Sequence, residues 1–512
     1  MGTAIGKIRV SVLLWPLWLG ALACTSGPQV GETTSQAVLD QYLARPAMRG
    51  ARLGILIQEL ETGRVLVEEG ADQGFSPAST MKLLTASSAL AHLPADFRFR
   101  THLYMRGKIV DGTLHGDLIL VCPGDPSFGW IPEYGGPGDA DFDEFVEALD
   151  RWGVKAVEGR LLAYASPSPG AKAGAWPPKT PQPWIWRSGW EWDDFVYGWG
   201  AEIGDFVYHG NRVSVRAVDG PEGVQVSVLP KGSGIRFREA VRVEKGARSD
   251  LQIFGLPKQR DWILQGSLDL GGKDRVWAAV PDPAVFLLNA FRARLAKEGL
   301  SMKVTVGRGR HPLPPGDPMQ GQAVQALAVH ASPPRDDLLR VMLHRSDNLY
   351  AERLAWASAF MDRGVPSFEA LQPDAVTDTT ARSLSALGVD PSTLRLVDGS
   401  GLSRRNLLNP RAVVALLSRL AAQPGPAFAD RLALAGGNGT LRRRFGPQSR
   451  WHRQIRAKTG TITGITALAG YLLPQAGRKM VFCVYLERPH GRAAVGRAFV
   501  DALLEALAPT LP

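Results

Sequence analysis

The sequence predicts an α+β protein, with one sheet assembled from both ends of the chain and a long, mostly-β segment inserted between them. Three observations carry this. Two apolar, β-branched runs, 51–60 and 63–68, flank Glu61-Thr62 and read as a hairpin. Three more runs, 453–462, 466–473 and 479–486, close the chain ahead of an amphipathic helix at 493–507. Together the five strands complete a single sheet with terminal helices over it. Between Phe97 and about Asp282 the texture changes to short alternating strands with Gly and Pro turns, and helices are sparse.

In chain order, Lys7 and Arg9 precede an apolar run from Val10 to Ala23, which has the length of an export signal rather than of a membrane span. Ala21-Leu22-Ala23 fits the small-x-small rule for cleavage, and 1–23 reads as the leader. Cys24 at that exit resembles the lipidated cysteine of bacterial lipoprotein signals, although Ala21 stands where those signals carry leucine. Residues 24–34 then form a polar tether. Helical spacing at 36–49 opens the fold, the hairpin follows, and a helix starts at Ser76-Pro77, with Ser76 as the expected N-cap. The inserted segment contains strands at 100–105, 118–121, 212–218, 224–229 and 262–268, and a helix at 141–152. Helical periodicity returns at 283–299, 336–345, 349–362, 374–387 and 410–421.

Composition narrows the function. With 512 residues and 45% hydrophobic content the chain buries a large core in more than one domain. The net charge of +10 suits an anionic partner such as wall polymer or a membrane surface. The basic residues are scattered, and no nucleic-acid-binding motif accompanies them. Besides Cys24 only Cys122 and Cys483 exist, without metal-ligand spacing, and they read as small buried hydrophobes that leave room for one bridge. A cluster of Trp176, Trp184, Trp186, Trp190, Trp192 and Trp199 with four prolines reads as an aromatic mini-core before it reads as a sugar platform.

The chemistry starts at Ser79. It falls at a helix start, where backbone N–H groups lack acceptors, and Lys82, three residues on, shares its face. A lysine buried there favours its neutral form and can take the serine proton. The bland alternative is a capped core helix whose lysine snorkels to solvent. Two further triplets weigh against that: Ser346-Asp347-Asn348 just after a helix, and Lys458-Thr459-Gly460 on a strand. This set, in this order, marks serine β-lactamases and penicillin-binding proteins. Ser346 is placed to pass a proton between Lys82 and a leaving amine, and Asn348 to donate to a substrate carbonyl. Lys458, Thr459 and Thr461 suit a terminal carboxylate, and Gly460 leaves room for a peptide along the strand edge. The backbone N–H groups of Ser79 and Thr461 suit an oxyanion hole.

The resemblance extends beyond these motifs. Ser76 to Thr85, Asp96 to Thr101, Gly116 to Leu120, Gly124-Asp-Pro-Ser-Phe128 and Trp190-Glu-Trp-Asp-Asp194 resemble the D-alanyl-D-alanine carboxypeptidase/endopeptidase family, the class C low-molecular-mass penicillin-binding proteins. So do Ser346 to Glu352, Asp398-Gly-Ser-Gly-Leu-Ser-Arg404, Gly439 to Phe445 and Lys458-Thr-Gly-Thr461. The resemblance implies a penicilloyl-serine transferase domain with a five-stranded antiparallel sheet, formed by 35–96 and 282–512. It implies an inserted domain at 97–205 and 265–281, with a third domain, 206–264, nested in it. It also implies that Asp194, rather than Asp193, reaches the active site. Two stretches depart from the family pattern: Tyr197-Gly-Trp-Gly, where Tyr-Gly-Ala-Pro is usual, and Gly436-Gly-Asn-Gly439, where an Asp-Gly pair is common. The expected protein is a periplasmic or membrane-attached serine D-Ala-D-Ala carboxypeptidase, with DD-endopeptidase activity left open because both reactions use the same serine. It would act on peptidoglycan stem peptides and be acylated by β-lactams, with no metal or organic cofactor. A β-lactamase or esterase on the same scaffold, and a wall-binding protein without turnover, are the alternatives.

Overall fold

The computed structural model describes residues 35–129, 138–166, 168–170, 186–309, 313, 316–364, 374–489 and 493–511. The leader, Cys24 and the tether lie outside these residues, as do Trp176, Trp184 and the four prolines near them.

The chain opens with α1 (Ser35–Leu43), the hairpin β1 (Arg52–Glu59) and β2 (Val65–Glu69), and α2 (Lys82–His92). It then leaves for the insertion: β3 (Arg100–Val110), β4 (Thr113–Cys122), α3 (Asp143–Arg151) and β5 (Ala156–Ala165). Six short strands follow: β6 (Arg212–Gly220), β7 (Gly223–Leu229), β8 (Arg236–Val243), β9 (Asp250–Phe254), β10 (Asp261–Leu268) and β11 (Lys273–Ala279). After them come α4 (Pro283–Lys297), β12 (Ser301–Arg308) and β13 (Val324–Ala331). The return half holds α5 (Arg335–Arg345), α6 (Asn348–Arg363), α7 (Ala375–Ala386), α8 (Pro410–Ala421) and β14 (Ala433–Leu434). It ends with β15 (Ile455–Ile462), β16 (Ile465–Leu472), β17 (Met480–Glu487) and α9 (Ala493–Leu507).

Both chain ends build one antiparallel sheet in the order β14-β15-β16-β17-β1-β2. Alternation along its strands serves two cores. Cys483 and Tyr485 face α2, α5, α6 and α8, while Phe482, Val484 and Leu486 face α1 and α9. The expected five strands are therefore joined by a sixth, the two-residue β14, which is too short to leave a periodic signal.

The inserted segment forms a separate five-stranded sheet, β12-β5-β4-β3-β13, in which β4, β5 and β12 run parallel. Helix α3 makes the crossover from β4 to β5, and both α3 and α4 cover the sheet through Phe145, Leu149, Phe286, Phe291 and Leu295. The expected return to the catalytic half at 282 is thus corrected: α4, β12 and β13 belong to the insertion, because Ser301 pairs with Ala156 and Ala331 with Arg100. The nested unit also differs from 206–264. Its two three-stranded sheets, β11-β6-β7 and β8-β10-β9, extend through β11, which pairs with β6.

Insertion and catalytic half are joined through Arg353 of α6. Its fully buried guanidinium donates to the carbonyls of Pro123 (2.7 Å), Gly124 (3.1 Å) and Ile203 (3.1 Å). Asp205 lies 3.5 Å away and supplies the compensating charge. This seam ties Ile203 and Asp205 of the insertion to α6.

Candidate active site

Ser79 lies in a 3₁₀ turn, Ala78–Met81, that leads into α2. Ser76 does not cap it. Ala78 takes a left-handed φ of 46°, which turns the chain away, and the Ser76 hydroxyl is buried without a hydrogen bond. The Ser76 backbone N–H donates instead to Glu487 Oε1 at 2.7 Å. Two glycines let neighbouring segments close on this turn. A Cβ on Gly401 would lie 1.8 Å from the Ala78 carbonyl oxygen, and one on Gly460 would lie 2.8 Å from that of Pro77. Gly460 therefore packs against the turn that carries Ser79, where a side chain would meet the Pro77 carbonyl, Ala467 and Ala78.

Lys82 is fully buried. Its Nζ donates to Ser79 Oγ (2.9 Å), Asn348 Oδ1 (2.7 Å) and the Ser400 carbonyl (2.6 Å). Three acceptors satisfy an ammonium completely. Burial nevertheless lowers its pKa to about 8, against the pull of Asp398, Asp347 and Glu352. About a tenth of the lysine is then neutral at pH 7, so the group is poised between the stored proton and the free base.

Helices α5 and α6 meet at a corner formed by Ser346 and Asp347. Ser346 ends α5 in the left-handed region (φ 59°), and Asp347 caps α6 by accepting from the Tyr350 N–H at 3.2 Å. The corner presents Ser346 and Asn348 side by side. Ser346 Oγ accepts from Lys458 Nζ at 2.8 Å, and Lys458 donates also to the Thr459 carbonyl at 2.7 Å. The expected Ser346–Lys82 pairing is therefore replaced by a Ser346–Lys458 pairing: Lys82 spends its donors on the other three groups. Burial, and then the neighbouring Lys82, hold the Lys458 ammonium well below its usual range. The free edge of Asn348 is engaged too, its Nδ2 donating to the Trp199 carbonyl of the insertion at 2.9 Å.

These groups floor a cleft of about 380 Å³ lined by Ser79, Ser346, Asn348 and Thr461, and by Asp194, Trp199, Leu402 and Arg404. Asp194 thus stands in the cleft wall, accepting from Trp199 Nε1 at 2.9 Å, and burial raises its carboxyl pKa. Asp193 is exposed outside it. The departure at Tyr197-Gly-Trp-Gly places an aromatic stack there: the Tyr197 and Trp199 rings lie 4.2 Å apart and 6° from parallel. Thr459 Oγ1 donates to Thr440 Oγ1 at 2.8 Å, outside the cleft lining. Along β15 only Arg456 and Ala457 pair with β14, so among the described residues the outer edge from Lys458 to Ile462 carries no strand. That edge is available to an extended peptide.

The sequence marked Asp398 to Arg404 as a family-like stretch but gave no role to this loop, which completes the lysine's surroundings. Asp398 accepts from the N–H groups of Gly401 (2.8 Å) and Ser403 (2.7 Å), from Asn406 Nδ2 (2.8 Å) and from Trp190 Nε1 (2.9 Å). These bonds hold the Ser400 carbonyl on Lys82. The signal available was Asp398-Gly-Ser-Gly, an Asx-type turn, but its target is tertiary. Cys122 and Cys483 are free and buried in different sheets, as the hydrophobe reading expected.

Comparison with known proteins places this geometry. The D-Ala-D-Ala carboxypeptidase 3 (S13) family model matches residues 35–508. This chain belongs to that family. Its activity class is accordingly that of a serine D-Ala-D-Ala carboxypeptidase. A D-alanyl-D-alanine carboxypeptidase of Actinomadura sp. (strain R39) is 28% identical over 527 residues, covering 98% of this chain and 89% of the relative. One from Haemophilus influenzae is 25% identical over 465 residues, with 87% of each chain covered. The crystal structure of penicillin binding protein 4 from Haemophilus influenzae superposes with a TM-score of 0.73 at 24% identity, over 93% of this chain and 99% of that one. The α+β penicillin-binding fold is thereby established for this chain.

Proposed function

We propose that Ser79 is the nucleophile and Lys82 its base in hydrolysis of the D-Ala-D-Ala terminus of peptidoglycan stem peptides. The observation that carries this is the 2.9 Å contact between the Ser79 hydroxyl and the amine of a fully buried lysine whose proton affinity burial has lowered. Neutral Lys82 takes the Ser79 proton as Oγ attacks the penultimate D-Ala carbonyl. The N–H groups of Ser79 and Thr461 receive the oxyanion, and the substrate pairs with the free edge of β15. Asn348 Nδ2 exchanges the Trp199 carbonyl for a substrate amide carbonyl. As the C–N bond breaks, Ser346 passes a proton to the departing amine and is resupplied by Lys458. Lys458 and the Thr461 region hold the terminal carboxylate, with Thr459 in support through Thr440, and Asp194 contacts the stem peptide's side chain. Lys82 gives the Ser79 proton up to solvent in the cleft and Lys458 regains one there; neutral Lys82 then takes a proton from the attacking water and returns it to Ser79 Oγ as the acyl group is released. β-Lactams enter the same path as analogues of the peptide.

Cleavage of cross-linked dimers would use the same serine, and we propose it as the second activity. Export by the leader at 1–23, with Cys24 as a membrane attachment point, would place the enzyme at its substrate. Among the described residues no helix is long and apolar enough to cross a membrane. The test is labelled penicillin on purified protein beside Ser79→Ala: a stable adduct on the unmutated chain alone is expected. No adduct on either would overturn the assignment, and rapid penicillin turnover would favour a β-lactamase. Release of D-Ala from a pentapeptide, compared with cleavage of a cross-linked dimer, apportions the two activities.

A further inference from the structure

Behind Lys82 lies a buried ion pair that the mechanism above does not use. Glu352 sits four residues after Asn348 on α6, hence on the same helix face, and is fully buried. Its Oε1 accepts from the N–H groups of Gly399 (3.0 Å) and Ser400 (2.8 Å). The neighbouring peptide groups are fixed as well, with Gly399 C=O accepting from Thr85 Oγ1 at 2.6 Å and Ser400 C=O from Lys82 Nζ at 2.6 Å. The second carboxylate oxygen, Oε2, makes no hydrogen bond. It faces Arg187 Nε at 3.7 Å, within ion-pair range but beyond a hydrogen bond. Arg187 comes from the insertion, its side chain is only 3% exposed, and its guanidinium also donates to the Val397 carbonyl and lies over the Trp356 ring.

We propose that Glu352 and Arg187 are positioning residues for the Lys82 base: Glu352 fixes the Ser400 carbonyl against the amine and adds a negative charge behind it, and Arg187 keeps that carboxylate ionised. The inference rests on the reading of Lys82 as the base of Ser79. A carboxylate used only as a scaffold is replaceable by an amide, since a glutamine oxygen also accepts two N–H bonds. The charge is what distinguishes glutamate. Asp398 reaches Lys82 from its loop and Asp347 from the α5–α6 corner, where Arg212 of β6 offsets it at 2.9 Å. Lys458 on β15 opposes them. Glu352 is the third carboxylate, and its second oxygen is met by the Arg187 charge without a hydrogen bond. Burial and Asp398 push its pKa up to about 7, and Arg187 pulls it down, so the charge behind the base depends on the guanidinium the insertion supplies.

The test is the pH dependence of acylation by a chromogenic cephalosporin, whose acid limb reports loss of the Lys82 proton. Glu352→Gln removes a negative charge beside an ammonium, so the limb is expected to move to lower pH by roughly half to one unit. Arg187→Gln leaves Glu352 protonated near neutrality and is expected to move the limb in the same direction. The double variant should move it no further, since both act through one charge. A folded Glu352→Gln protein with its limb unmoved would overturn the proposal and leave Glu352 a structural acceptor. Should that variant not fold, Arg187→Gln decides alone, in the same sense. If the unmutated protein shows a Ser79 adduct but no acid limb, the reading of Lys82 as base falls first, and the two failures are distinguished.

Discussion

Replacing Gly401 by alanine tests the link between the Asp398 loop and the nucleophile's turn. Gly401 has φ 80°, where an L-residue costs about 1–2 kcal/mol. Its new Cβ would lie 1.8 Å from the Ala78 carbonyl oxygen and 2.6 Å from the Ala78 carbonyl carbon. Both are backbone atoms, so the turn carrying Ser79 must move by on the order of an ångström. Overpacking of this kind costs about 1–3 kcal/mol, and alanine's stiffening of the unfolded chain returns about 0.4–1 kcal/mol. The expected loss is about 2–4 kcal/mol, which lowers Tm by roughly 5–15 °C for a domain of this size. A displacement of about 1 Å at a nucleophile costs on the order of 100-fold in rate, so acylation by labelled penicillin should slow by about that factor. Gly425→Ala is the control. That residue has φ 100° with nothing near its Cβ position, and so carries the backbone strain without the clash. A Gly401→Ala protein that acylates within twofold of normal, with Tm no lower than the control's, would refute the proposed closure of the loop on the turn.

Acylation should rise with pH through an acid limb near 8, because burial lowers the Lys82 pKa from its ordinary value and only the neutral amine accepts the serine proton; Lys82→Met should lose the limb together with nearly all the rate, as stopped-flow acylation would record. Gly460→Ala should lower stability by about 1–3 kcal/mol and slow acylation, since its Cβ would meet Pro77 O at 2.8 Å and Ala467 Cβ at 3.0 Å. If β-lactam acylation and the melting curve are both unchanged, the packing explanation for that glycine is wrong. Asp194→Asn should leave acylation by a small β-lactam within a few-fold while raising KM for a stem peptide with a side-chain amine, because the carboxylate lies in the cleft wall and accepts its hydrogen bonds from the Glu191 N–H and Trp199 Nε1. Equal losses on both substrates would remove it from the substrate subsite.

The catalytic sheet was legible because its strands carry their own periodicity, and Pro410–Ala421 and Ala493–Leu507 match their helical spacing end to end. The three triplets were legible because chemistry restricts residue type and order. What escaped is non-local. The spacing of α4, β12 and β13 is the same whichever sheet they join, and only the pairing of Ser301 with Ala156 assigns them to the insertion. The partner of Ser346 is set by which of two buried lysines has a donor to spare, a matter of three-dimensional geometry. Ser76 had the right residue type for a cap, but the left-handed Ala78 beside it redirects the chain, and no propensity scale anticipates a strained alanine.

The Arg353 seam bears on how this architecture tolerates rebuilding. A guanidinium with no solvent exposure has its charge met from across the boundary, by three carbonyls and Asp205 of the insertion. Cutting the insertion out would strand that cation in α6, two turns from Ser346, and leaving one partner of a buried pair unpaired costs about 3–5 kcal/mol. The inserted domains are thus not a detachable accessory. They are the counter-charge that lets the catalytic helix keep an arginine in its core, and grafts or deletions should respect the seam and confine themselves to the outer edges of the nested sheets.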